Sequence, residues 1–81
     1  MKLPRGLSGS ELARKLSSFG YGVTRQTGSH LRLTTQLLGE HHITIPNHAS
    51  SLRIGTLSSI LSEVAAHLEI TKEDLVTRLF H

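Results

Sequence analysis

Two periodicities divide the chain. Leu12, Leu16 and Phe19 recur at spacings of four and three, and Leu57, Ile60, Leu61, Val64, Ala65 and Leu68 follow the same rule over a longer stretch. Both patterns are stripes on amphipathic helices. Between them the period falls to two. Residues 21–26, 31–35 and 41–45 alternate apolar or β-branched positions with polar ones, which predicts three half-buried strands. In the second strand Leu31, Leu33 and Thr35 share one face, while His30, Arg32 and Thr34 share the other. In the third, Ile43 and Ile45 face a core, and His42 and Thr44 join the polar side.

The boundaries carry local signals. Ser8 with Glu11 three residues on is a capping box, and Gly20 is the C-cap that ends the first helix. Thr27-Gly28 is expected at the centre of a tight turn between the first two strands, with Gly28 entering positive φ. Residues 36–40 form a loop around Gly39, where Leu37 and Leu38 either cap the core edge or meet a partner. Pro46 stops the third strand because it cannot donate to a ladder, and 46–51 is a linker. The long helix opens near Gly55-Thr56 and is expected to cover a sheet face formed by Val23, Leu31, Leu33, Ile43 and Ile45. Thr71 caps a last helix that carries Leu75, Val76 and Leu79. The order is α-β-β-β-α-α. It predicts an α+β fold, with a three-stranded antiparallel sheet covered by helices on one face and open on the other. Residues 1–81 are expected to form one domain.

Composition narrows the setting. There is no cysteine, so disulfides and thiolate metal sites are excluded. No apolar run approaches a membrane span, and 1–5 lack the apolar segment of a signal peptide. The expectation is a cytoplasmic protein with no membrane partner. Nine Lys/Arg against six Asp/Glu give a net charge of +3, and five of the acids lie at or after Glu40. The basic first half points to a polyanion, most simply nucleic acid.

His30 and Arg32, side by side on an open sheet face, are the candidate chemistry. A histidine titrating near neutrality can act as acid or base, and a nearby cation can offset phosphorane charge. The plain alternative for His30 is a solvated histidine after a turn. Arg25, Arg32, Arg14 and Lys15 are phosphate contacts or ordinary solvated charges. Gly55-Thr56 is an anion site at a helix start or only a cap. His42 and Ser29 are candidates for a second proton-transfer group, as is water. His41, His42 and His48 invite a metal reading, but adjacent strand residues point to opposite faces, so His41 and His42 cannot easily share an ion. No metal and no cofactor is expected. His67, on a helix flank, is expected to be solvated.

Ser8-Gly9 with Glu11-Leu12, Gly20-Tyr21, Arg25-Gln26-Thr27-Gly28-Ser29-His30, His42-Ile43-Thr44-Ile45-Pro46, His48, and Gly55-Thr56-Leu57 with Ile60-Leu61 occur in one order and spacing. In this the chain resembles the HicA family of mRNA interferase toxins, the toxin half of type II toxin–antitoxin pairs. The resemblance implies a fold like the double-stranded-RNA-binding domain. It also implies an endoribonuclease that cleaves mRNA without a metal. The histidine of the Gly-Ser-His element, here His30, is then catalytic. Arg25, Ser29, Arg32 and His42 are the expected RNA contacts, and Gly28 the structural turn. A HicB-type antitoxin protein is the implied partner. A non-catalytic RNA-binding module of the same fold, or a partner-binding adaptor using Leu37 and Leu38, are the alternative functions.

Overall fold

A computed structural model describes residues 2–81. The first helix, α1 (Gly9–Leu16), starts on the expected box. The Glu11 amide donates to Ser8 Oγ at 3.1 Å, and the Ser8 amide donates to Glu11 Oε1 at 2.9 Å. These bonds hold the Glu11 carboxyl below its usual pKa, the Ser8 backbone bond contributing most. A 3-10 turn over Ser17–Phe19 continues the helix. Gly20 then reverses the chain at φ +82°, and a Cβ there would stand 2.8 Å from Thr35 Oγ1. Glycine is required on both counts.

Three strands follow, β1 (Gly22–Gln26), β2 (His30–Thr35) and β3 (His41–Pro46), in the antiparallel order β1-β2-β3. Tyr21 is not part of β1; it is buried just before it. His30 belongs to β2 and pairs with Pro46 of β3. Proline is tolerated there because β3 is an edge strand. Two helices close the chain, α2 (Ile54–Leu68) and α3 (Lys72–Phe80). The Thr71 hydroxyl accepts from the Asp74 amide at 3.0 Å and caps α3 as predicted.

The core lies between one sheet face and the helices. Leu31, Leu33, Ile43 and Ile45 supply the sheet side. Leu12 and Leu16 of α1, Leu57, Leu61 and Val64 of α2, and Leu75, Val76 and Leu79 of α3 supply the other. Val23 corrects the sequence reading, since half of its surface is exposed. It sits opposite Leu33 and therefore on the helix side, but β1 is an edge strand that α1 covers only in part. A groove there, between α1 and β1, is lined by Ala13, Arg14 and Val23 among others. Leu37 and Leu38 do not cap the core: they are exposed, and Leu38 turns the loop at φ +58°. No described helix is long and apolar enough to cross a membrane.

His67 also departs from expectation. It is half-buried, stacked on His41 with ring centres 4.4 Å apart, and its Nε2–H donates to the Leu37 carbonyl at 2.8 Å. His41 in turn lies 2.7 Å from the Tyr21 hydroxyl through Nδ1 and 3.2 Å from Glu63 Oε2 through Nε2. If Nε2–H donates to the carboxylate, Nδ1 is left to accept the Tyr21 proton. Burial pushes the Tyr21 hydroxyl up to about 12, with Glu63 adding in the same direction.

Candidate active site

The uncovered sheet face is built around β2. His30, Arg32 and Thr34 alternate outward from it, as the period of two requires. Cross-strand pairing places Thr44 beside Arg32 and His42 beside Thr34. On the other flank the register shifts between Val23 and Arg25, so that Arg25 stands opposite Arg32 and Gln26 opposite Leu31. Strict alternation from Val23 would have turned Arg25 toward the helices. The extra residue of this bulge brings it onto the same face as Arg32 and His30. Two guanidinium groups thus face each other across paired strands. Like charges in that position destabilise a sheet. The ion pairs of the described residues are His41–Glu63, His42–Glu40 and Arg78–Asp74, so neither arginine is in direct contact with a carboxylate.

The far end of this face is internally satisfied. His42 Nδ1 meets Thr34 Oγ1 at 2.7 Å, and Thr34 Oγ1 lies 3.0 Å from Thr24 Oγ1. His42 Nε2 meets Glu40 Oε2 at 3.2 Å. Gln36 and His42 donate to the Glu40 carboxylate and hold its pKa below the usual value. His42 stands four residues along the ladder from His30, roughly 13 Å at the rise of a strand. The structure therefore groups His30, Arg32 and Arg25, and sets His42 apart from them.

His30 is exposed. Its Nδ1 lies 3.1 Å from the Ser29 hydroxyl, and among the described residues its Nε2 has no hydrogen-bond partner. Ser29 is itself anchored, because its carbonyl accepts from the Asn47 amide at 2.8 Å. The turn before it is closed by the Thr27 amide donating to the His30 carbonyl at 3.0 Å. Gly28 stands in that turn, but not for the expected reason. Its φ is outside the left-handed region, and nothing lies within 4 Å of where its Cβ would be. A link of three residues is free of the mirror-image turn that a two-residue hairpin demands, and the bulge upstream adds twist.

One neighbour of His30, read from the sequence only as a candidate metal ligand and as part of the family resemblance, is His48. The His48 ring lies 6.2 Å from the His30 ring, centre to centre, at an interplanar angle of 71°. Beside it a pocket of about 300 Å³ is lined by Pro46, His48, Ser51, Arg53 and Thr56 among others. The signal was present in the loop length. If Thr35 pairs with His41, an antiparallel ladder carries His30 to Pro46, and His48 follows two residues later. No group of three or more His, Cys, Asp or Glu side chains among the described residues could hold a metal ion. His41 and His42 do face opposite ways, one bonded to Tyr21 on the core side and one to Thr34 on the open side.

A family model described as the HicA toxin of bacterial toxin–antitoxin systems matches residues 9–65. The matched span runs from α1 through most of α2 and includes the whole sheet. No curated protein and no solved structure matches the chain.

Proposed function

The chain belongs to the HicA toxin family of bacterial toxin–antitoxin systems, and from that premise we propose that it is an mRNA endoribonuclease with His30 as its acid–base group. Membership of the family implies a cognate antitoxin. The observation that carries the reading is the state of His30. It stands on the uncovered sheet face with Nε2 free of protein partners among the described residues, beside two arginines that are in none of the described ion pairs.

RNA brings its own nucleophile, the 2′-hydroxyl. Cleavage needs removal of that proton, offset of charge on the phosphorus centre, and protonation of the departing 5′-oxygen. His30 Nε2 is positioned to exchange a proton with the substrate, while the Ser29 hydroxyl at Nδ1 orients the ring. Arg32, two residues along the same face, and Arg25 opposite it receive phosphate oxygens. None of these steps calls for a metal. A HicB-type antitoxin covering this face would block substrate and neutralise both arginines together.

Labelled mRNA incubated with the purified protein in EDTA tests this reading. We expect cleavage by the wild type and a loss of about 10²–10⁴-fold in His30→Ala. Full cleavage by His30→Ala would remove His30 from the chemistry. RNA binding without cleavage by either protein would leave a non-catalytic RNA-binding module.

A further inference from the structure

We infer that His48 is the second proton-transfer group of the cleavage reaction, paired with His30 across the scissile phosphate. The inference rests on the ribonuclease reading above. In-line displacement involves two oxygens on opposite sides of phosphorus, one losing a proton and one gaining it. A single histidine must serve both in turn or leave one to water. Two imidazoles solve this directly if both reach one phosphate without touching each other. A hydrogen bond from each ring to its oxygen spans about 2.7–3.0 Å. Rings centred 6.2 Å apart and nearly perpendicular meet that requirement. They are too far apart to bond to one another and close enough to share a phosphate.

The other candidates fail on position. His42 has both ring nitrogens engaged by Thr34 and Glu40 and lies at the far end of the ladder. The Ser29 hydroxyl is occupied by His30 Nδ1. His48 has no hydrogen bond to another described residue, and it stands on a segment that is tied down. Asn47 donates its amide to the Ser29 carbonyl at 2.8 Å, and its Oδ1 accepts from the Ser10 hydroxyl at 3.1 Å. Pro46 pairs with His30 itself. The residue just before His48 is thus bonded to the residue just before His30, which holds the two rings in register.

The pocket beyond His48 accounts for the rest of the substrate. Arg53, Thr56 and Ser51 line it with one cation and two hydroxyls, a set suited to a neighbouring phosphate or ribose. In the proposed step one neutral imidazole takes the 2′-hydroxyl proton as the 2′-oxygen bonds to phosphorus. The bond from phosphorus to the 5′-oxygen breaks, and the other ring, as imidazolium, gives its proton to that oxygen. The products are a 2′,3′-cyclic phosphate and a 5′-hydroxyl end, and the two rings have exchanged protonation states.

The test compares wild type, His30→Ala and His48→Gln on two RNA oligonucleotides of one sequence. One is all-oxygen. The other has a single bridging 5′-sulfur at the scissile position, a leaving group that needs no proton. We expect His48→Gln to cleave the all-oxygen RNA about 10²–10⁴-fold more slowly than wild type, with unchanged thermal stability and unchanged affinity for 2′-O-methyl RNA. We further expect the sulfur substrate to restore cleavage by one of the two variants and not by the other. Rescue of His48→Gln makes His48 the acid, and rescue of His30→Ala makes it the base. A His48→Gln enzyme as fast as wild type on all-oxygen RNA overturns the inference and leaves the ribonuclease reading intact. So does a slow variant whose defect is matched by weaker binding, with neither variant rescued. A wild type that cleaves neither RNA overturns both.

Discussion

The two faces of one small sheet use histidine in opposite ways. On the covered face His41 bonds to Tyr21 and Glu63 and stacks on His67, which bonds in turn to the Leu37 carbonyl. No buried side-chain nitrogen or oxygen among the described residues is left unsatisfied. On the open face His30 uses one nitrogen on a neighbouring serine and keeps the other free, while Arg25 and Arg32 oppose each other, neither in a described ion pair. A satisfied histidine contributes to stability and is unavailable for chemistry. An exposed one with a free nitrogen beside two arginines adds little to stability and is available. His41 and His42 make the same point at closer range: adjacent in sequence, they belong to different faces and different networks.

Substitutions on each face should therefore separate stability from activity. The largest effect is that of His30→Ala on cleavage, with thermal stability within about 0.5 kcal/mol of wild type, as for a surface change. Gly9→Ala comes next and attacks the platform beneath both histidines. A Cβ at Gly9 would stand 2.2 Å from the Pro46 carbonyl oxygen, a backbone atom that cannot rotate away. We expect a loss of about 3 kcal/mol, at the upper end of overpacking costs, visible as a lower midpoint in urea. A wild-type midpoint would show that α1 can move away from Pro46 freely.

His41→Ala is the mirror of His30→Ala. It leaves the buried Tyr21 hydroxyl without its partner, and a loss of about 1–3 kcal/mol is expected, with the cleavage rate of the folded fraction unchanged. A rate defect without a stability defect would reverse the roles of the two faces. Arg32→Ala should be smaller still. We expect weaker RNA binding and a salt slope shallower by roughly 0.7–0.9 for one lost phosphate contact. Stability should stay level or rise slightly, because an unfavourable pair with Arg25 is removed. An unchanged slope would make Arg32 an ordinary solvated charge.

The smallest effect lies in alkali. Tyr21 holds its proton to a higher pH in the folded chain than in the unfolded one. Its contribution is thus fully present below about pH 10 and is lost as pH rises through about 12. Tyr21→Phe should flatten the decline in stability over that window by at most about 1.4 kcal/mol per pH unit. A parallel decline in both proteins would mean that Tyr21 does not titrate with unfolding.

Periodicity alone was enough for the elements, because a period of two or of 3.6 reports which side chains a strand or helix must bury. It was enough for the two faces of β2 and β3 as well. Alternation puts His30, Arg32, His42 and Thr44 on the open side, and that is where they lie. It failed at Val23, where alternation says which way a side chain points but not whether anything covers it. It also did not reveal how Arg25 reaches the open face, since a bulge is one extra residue with no mark of its own in the residue types.

What the sequence by itself determined is local: caps at Ser8 and Thr71, the reversal at Gly20, three strands and three helices, and a histidine beside an arginine on one strand face. What only the tertiary structure decided is company. The cluster of Tyr21, His41, Glu63 and His67 draws on a loop, an edge strand and a helix, and no spacing in the chain encodes it. The approach of His48 to His30 depends on the pairing register, on Asn47 bonding to Ser29, and on the absence of a side chain at Gly9. Local conformation follows from steric and capping rules that act within a few residues. Which histidine is satisfied and which is left free depends on distances between segments, which are set by packing.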